Sequence, residues 1–480
     1  MQTDHVRDEN SGPAVPKDDL GASLDVLKGH LRELARQTIT SADDDRSYIE
    51  CGVHRTAHYH PARDDEVVAL ESFTPAVASL AAFSDFVAVA QPSDAHRVVL
   101  QFVYDCLERH HAPRFDIAAF DLTWTSFVDE LSTPYWRFLS VCQLENFVSD
   151  VQLADLVDGV SIHDRSTYGF KEHGWSDFQV KKLYEEIGYA STYILVAEDK
   201  LPKSPENLYF SSTTEPVIKS HRMLRALRLA KEGDVHIGGD TMIGRVFTNR
   251  PAGSGFSSSG GASAHGTSPR WPGPGYFLST SDVAHVATLY SQLTAIGAMQ
   301  GRGPFNLDLA LRSFFSSYDR IPEMPDTRLV DLVTAAEALL GTENEIIFRL
   351  SFRIAALLGS TDSERVAIFT DMRAFYDTRS RVAHGAPLKP KHQARLENYS
   401  VLRGYVRRLL TAFLHLATSP ARRTYGTKFF TEQLDIVLQH EQQRAALRMS
   451  MGLIDPETLT VVREGVGWPE YGHPKAPNAY

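Results

Sequence analysis

Four side chains able to do chemistry lie close together: Arg379, Ser380, Arg381 and His384, in the run Tyr376-Asp-Thr-Arg-Ser-Arg-Val-Ala-His-Gly385. An imidazole, with an ordinary pKa of about 6.5, takes and gives protons near neutral pH. A guanidinium grips a phosphate through two parallel hydrogen bonds and stabilises charge on a reacting oxyanion. Ser380 precedes His384 by four residues and Arg381 by three, so on a helix both share its face. Ser380 can orient the ring or contact a substrate, and Arg381 can be a second phosphate contact. Arg379 precedes His384 by five residues, a rotation of about 500° that leaves the two about 140° apart. Either the helix loosens before Gly385, or a second copy of the chain completes the site. A plainer reading stands beside this one. Basic residues in a last helical turn complement the macrodipole, for a few tenths of a kcal/mol each.

The elements that must hold these residues are helical. Val366, Ile368, Phe369, Met372, Phe375 and Tyr376 recur at helical spacing, and Gly385 and Pro387 supply the stop. From Ser279 onward the pattern predicts helices over 279–299, 306–318, 326–341, 344–358, 362–384, 392–417 and 427–449. Short connections between them imply an antiparallel bundle. Glu337 falls in a helix that otherwise reads as buried and needs a partner, for which Arg349 and Arg353 are the candidates. A structural ion pair is favoured there over catalysis.

Charge is unevenly spread. The whole chain carries −11, yet the window from Arg379 to Lys428 holds eleven basic residues against one acid, Glu397. Arg381, Lys389, Lys391, Arg395, Arg403 and Arg407 are the candidate substrate contacts, since a basic surface beside a histidine suits a polyanion. The alternative is a solvated helix face paired with the acidic remainder of the protein.

At 480 residues the chain needs two or three domains. Its 43% apolar and 23% charged residues are those of a globular protein. The first residues lack the basic and apolar regions of a signal peptide, and no apolar stretch is long enough to span a bilayer. Three cysteines are too few for a disulfide framework and suit a reducing cytoplasm. Cys51, His54, His58 and His60 are ligands that zinc accepts, but no single element presents all four. A His-rich loop is favoured over that metal site.

The remaining chain suggests an α+β protein. Residues 1–20 read as a disordered tail and 21–150 as a mostly helical region, with helices over 22–36 and within 73–111. The aromatic-rich 115–148 reads as core. Residues 151–300 read as mixed α/β, with strands at 156–162 and 191–197 and helices at 175–186 and 216–231. A hairpin over 235–247 would turn at Gly238-Gly239. Residues 248–275, rich in Gly, Ser and Pro, read as a flexible loop, 301–450 as the helix bundle and 451–480 as a tail.

Three segments, in order, carry a resemblance: Leu329-Val-Asp-Leu-Val-Thr-Ala-Ala-Glu-Ala-Leu-Leu340, Arg349-Leu-Ser-Phe-Arg-Ile-Ala-Ala-Leu-Leu-Gly359 and Phe375-Tyr-Asp-Thr-Arg-Ser-Arg-Val-Ala-His-Gly385. Together they resemble the HEPN superfamily, and within it the ApeA-like branch. Arg222-Met-Leu-Arg-Ala-Leu-Arg-Leu-Ala-Lys-Glu-Gly233 resembles the region that precedes this domain in such proteins. The resemblance covers 300–420 well, 150–300 loosely, and says little of 1–150.

It implies an all-α bundle of four to five helices that forms a homodimer or higher oligomer, with the Arg-x4-His motifs of two protomers facing one another. It implies an endoribonuclease, independent of metal and cofactor, acting in antiphage defence or as a toxin. ApeA-like members are associated with tRNA cleavage and abortive infection. Arg379, His384 and Ser380 would be the catalytic set. The residue after the arginine is often Asn, Asp or His across the superfamily, and serine is likewise a hydrogen-bonding group. RNA and a phage-derived trigger are the implied partners, with no membrane. A reading from another class is a bundle that binds RNA or a nucleotide, or only dimerises, without chemistry.

Overall fold

A computed structural model describes residues 17–41, 67–81, parts of 95–106, 115–132, 135–151, 153–166 apart from 158, 193–202, 215–243, 275–299, 304–320, 324–341 and 345–453. The chain divides into two compact units. One comprises 1–145, 152–220 and 237–268; the other comprises 146–151, 221–236 and 269–480. The consecutive domains read from the sequence therefore interleave. The expected boundaries at 150 and 300 fail because strands and one helix carry the chain back and forth between the units.

In the first unit, helices α1 (Lys17–Ser41), α2 (Phe73–Ala81) and α3 (Ile117–Ser132) bury one core. Leu27, Leu31 and Leu34 of α1 meet Phe73, Phe102, Phe120 and Phe127 there. Phe102 and Phe120 pack edge to face with centroids 5.7 Å apart. Helix α1 begins at Lys17, inside the expected tail, and ends at Ser41, past the expected stop.

The same unit holds a five-stranded sheet in the order β3-β4-β5-β1-β6. Its strands are β1 (Tyr135–Glu145), β3 (Leu153–Val157), β4 (Val160–Asp164), β5 (Tyr193–Pro202) and β6 (His236–Ile243). Strands β1 and β5 run antiparallel, with Val141 opposite Val196 and Cys142 opposite Leu195. Val141–Leu144 and Ile194–Ala197 are buried without alternation, as strands covered on both faces require.

Three expectations need correction. The stretch 115–148, read as core within a mostly helical region, includes a sheet strand, Tyr135–Glu145. The strand expected over 156–162 is a hairpin of β3 and β4; Gly159 in its turn takes a φ of +72°, where a side chain is disfavoured. Gly238-Gly239 is no turn and lies within β6. A Cβ on Gly238 would collide with the Glu145 side chain, so that glycine serves close approach. The helix expected over 175–186, the loop over 248–274, the tail after 453 and the cluster Cys51, His54, His58 and His60 lie outside the described residues.

The second unit is helical apart from the parallel pair β2 (Phe147–Ser149) and β7 (Tyr276–Leu278). Helix α4 (Glu215–Ala230) contributes its C-terminal part. Then come α5 (Val283–Gly297), α6 (Leu307–Asp319), α7 (Pro325–Leu340), α8 (Ile346–Leu358) and α9 (Asp362–Ala383). The span expected as one helix over 392–417 is broken at Asn398 into α10 (Pro390–Glu397) and α11 (Tyr399–Thr418). The span expected over 427–449 is three short helices, α12 (Thr427–Glu432), α13 (Leu434–Gln439) and α14 (Glu441–Ser450). Helix α7 is central and packs on α6, α8, α9 and α11. Its Leu329, Leu332, Val333, Ala336 and Leu340 are buried. The whole is α+β, mostly helical with an antiparallel sheet. Among the described residues no helix is long and apolar enough to cross a membrane.

Candidate functional site

Helix α9 has defined ends. At its start the Thr361 hydroxyl accepts the Glu364 N–H at 3.1 Å, and the Glu364 carboxylate accepts the Ser360 N–H at 2.8 Å. That backbone hydrogen bond holds the Glu364 carboxyl below its ordinary pKa. Ile368, Met372, Phe375, Tyr376 and Thr378 are its buried residues. At its end Gly385 takes a φ of +65°. The Gly385 N–H bonds to the Val382 carbonyl at 3.1 Å and the Ala386 N–H to the Arg381 carbonyl at 2.9 Å. This is a Schellman closure, with His384 as the C-cap. The helix is regular to Ala383, so it does not loosen to bring Arg379 round to His384.

The motif residues part company accordingly. His384 is exposed. Arg379 turns toward α7, where its Nη2 lies 3.4 Å from the Glu337 carboxylate. Its guanidinium also sits 5.8 Å from the centre of the Tyr376 ring. Burial first, and then the charge of Glu337, push the Tyr376 hydroxyl above its ordinary pKa. Glu337 is thus paired, as its helix demands, but with Arg379 rather than Arg349 or Arg353. Arg353 is buried and bonds to Asp435 at 2.6 and 2.9 Å and to the Leu340 carbonyl. Arg349 lies 3.8 Å from Glu345 and 3.9 Å from Asp435.

A different group gathers around Asp377, seven residues before His384 on α9. Asp377 accepts a hydrogen bond from His392 Nε2 at 3.0 Å. It also lies 3.8 Å from Arg381 Nε and 3.7 Å from Lys391 Nζ. His392, 2% exposed, receives the Lys389 backbone N–H on Nδ1 at 3.0 Å. A ring nitrogen that accepts a backbone N–H carries no proton, so Nε2 carries it and the ring is a donor to Asp377. The His392 hydrogen bond is the main cause that holds the Asp377 carboxyl below its ordinary range. Ser380 and Arg381 are half-buried on this side of the helix.

Two members of the basic window, Arg403 and Arg407, are consumed inside the fold. Arg403, 1% exposed, bonds to Asp234 at 2.6 Å and to Glu232, and its guanidinium lies 4.6 Å from the Tyr318 ring centre. Arg407 bonds to Glu232 at 2.6 Å, to the Tyr318 hydroxyl and to the Arg228 carbonyl. Burial raises Glu232, but Arg403 and Arg407 outweigh it and hold the carboxyl below its ordinary pKa. Both arginines are structural, which corrects their reading as substrate contacts. Arg395 bonds to Asp371 at 2.8 Å, and Arg408 to the Leu358 carbonyl. Lys389 is exposed and makes no ion pair among the described residues.

Asp377, His392, Glu232 and Asp234 were missed from the sequence. Asp377 carried a signal, since it precedes Arg381 by four residues on the same helix. The others meet their partners only through the fold. Among the described residues no group of His, Cys, Asp and Glu can hold a metal ion. A shallow depression of about 420 Å³, lined by Ala287, Thr288, Ser291, Gln292, Ala295 and Thr418, includes none of the motif residues. Comparison with family models, with curated proteins and with solved structures finds no match.

Proposed function

We propose that the helical unit is a metal-independent endoribonuclease of the HEPN type, acting in antiphage defence or as a toxin. The observation that carries this reading is the helix end itself. An exposed imidazole is the C-cap of α9, Arg381 lies one turn before it, and Lys391 approaches Asp377 about two turns before it. His384 takes the proton of the RNA 2′-hydroxyl as its oxygen attacks the adjacent phosphorus. The 5′-oxygen bond breaks, that oxygen receives a proton, and the products end in a 2′,3′-cyclic phosphate and a 5′-hydroxyl. An arginine stabilises the charge on the phosphorane.

Arg379 and His384 project about 140° apart on a regular helix, so the reading takes a second copy of the chain to complete the site. Ser380, one turn before His384, supplies a hydroxyl to the imidazole or the substrate. The test is cleavage of RNA in buffer containing a chelator, with end-group analysis. His384→Ala and Arg379→Ala each abolish cleavage with the fold retained; cleavage that persists in both variants sinks the assignment.

A second reading is a non-catalytic RNA- or nucleotide-binding or dimerisation module. The pairing of the motif arginine with Glu337, and the consumption of Arg403 and Arg407 inside the fold, favour it. RNA bound without products supports that alternative.

A further inference from the structure

We propose that Arg381, rather than Arg379, is the guanidinium that shares a phosphate with His384 within one copy of the chain, and that Asp377 and His392 are positioning residues for it. The identity of that phosphate as part of an RNA backbone rests on the ribonuclease reading above.

At about 100° per residue, Asp377, Arg381 and His384 fall within about 60° of one another around α9. Arg379 lies on the side that faces Glu337, where it is already paired. In the two-copy site proposed above, Arg379 then serves the His384 of the second copy.

Arg381 is also oriented for a phosphate. Its Nε edge faces Asp377 at 3.8 Å. The two terminal nitrogens are left to meet an oxyanion from outside, and a guanidinium offers them as a planar fork. Its side chain is 32% exposed, so solvent and a phosphate can reach it. Lys391, 71% exposed and also 3.7 Å from Asp377, adds a point charge on the same side.

Asp377 is itself held. A surface ion pair spaced four residues apart needs no further support and contributes little. Here the carboxylate is tied to a buried imidazole on another helix, and the Lys389 N–H fixes that imidazole's tautomer. Asp377 therefore faces two cations, Arg381 and Lys391, which leaves positive charge in excess on this side of α9.

The test follows the His384 ring by NMR in the full chain. Two probes are titrated: inorganic phosphate, and a short 2′-O-methyl RNA, which lacks the attacking hydroxyl. In the parent the RNA probe shifts the His384 signals. Arg381→Gln weakens that response by about tenfold or more, and Arg379→Gln by about threefold or less. A response lost in Arg379→Gln and kept in Arg381→Gln overturns the proposal. A response equal for phosphate and RNA restricts the site to a simple anion and overturns its place in RNA binding. Arg381→Lys keeps the charge and loses the fork, and its intermediate affinity gives a second reading should the glutamine variant unfold.

Positioning by Asp377 is read from kinetics. Asp377→Asn lowers kcat by about tenfold with KM unchanged or lower, because removal of an acid by itself favours phosphate binding. Unchanged kcat with lower KM rejects the positioning role. A parent that binds the RNA probe at His384 yet cuts nothing rejects the ribonuclease reading and leaves Arg381 as the phosphate ligand. A parent that cuts through His384, with Arg381→Gln equally active, rejects this inference alone.

Discussion

Arg403→Met separates a structural arginine from a substrate contact. The guanidinium is 1% exposed and bonds to Glu232 and to Asp234, itself only 4% exposed. It lies against the rings of Tyr318 and Tyr399, at 4.6 and 5.4 Å. Methionine fills much of the volume but leaves the Asp234 carboxylate buried without its cation. Glu232 keeps Arg407. Stranding one partner of a buried pair costs about 3–5 kcal/mol, most of it desolvation of the charge left behind. At about 2–4 °C per kcal/mol, the melting temperature of the helical unit falls by about 6–20 °C. The assay is a thermal melt followed by circular dichroism, with RNA binding measured well below the melt. Asp234→Asn on top of Arg403→Met removes the stranded charge and recovers part of the loss. An Arg403→Met chain that melts with the parent while losing RNA affinity refutes the burial argument.

Three further outcomes follow from single residues. Burial first, and then the cations Arg228, Arg328 and Arg403, push the His236 pKa down to about 2. The unfolded chain binds that proton near pH 6.5 and the folded chain does not, so stability is full above 6.5 and falls as pH drops. The loss is about 1.4 kcal/mol per pH unit, and His236→Gln flattens it between pH 7 and 5; a folded-state ring that titrates near 6.5 by NMR contradicts this. Gly385→Ala places a side chain at a φ of +65° in open space, so it costs only the left-handed penalty of about 1–2 kcal/mol. Faster amide exchange at Gly385 and Ala386 reads the loosened cap, and unchanged exchange argues against it. Gly233→Ala combines a φ of +144° with a collision against Tyr276, including its backbone. It lowers the melting temperature well beyond Gly385→Ala, and equal melts for the two variants overturn the steric argument.

Helices were legible where one face is wet; of the strands covered on both faces, the one at 191–197 was legible from its β-branched run and Tyr135–Glu145 was not. The periodicity of Val366 to Tyr376 gave α9 nearly to the residue, because its outer face is exposed and its apolar residues are spaced for one side. Tyr135–Glu145 escaped notice because Val141, Cys142, Gln143 and Leu144 are all buried, which leaves no alternation to read. Gly238-Gly239 looked like a turn because glycine permits one, yet at Gly238 the cause is the Glu145 side chain on another strand. The break at Asn398 was equally hidden, since no proline or glycine marks it.

The candidate site divides along the same line. Its local parts, the helix end at Gly385 and the shared face of Arg381 and His384, follow from residue spacing and survive in the structure. Its long-range parts do not. Charge counted along the chain treats Arg403 and Arg381 alike, although one is sealed against acids 169 and 171 residues earlier and the other keeps its side chain 32% exposed. What decides whether a basic residue can meet a phosphate is which acids the fold has already brought to it. By that criterion Arg379 is already paired with Glu337, while Arg381 retains its terminal nitrogens beside the one exposed imidazole of the motif. The turn at Gly385 is therefore better tested through Arg381 and Asp377 than through the arginine that the spacing of the motif first brings forward.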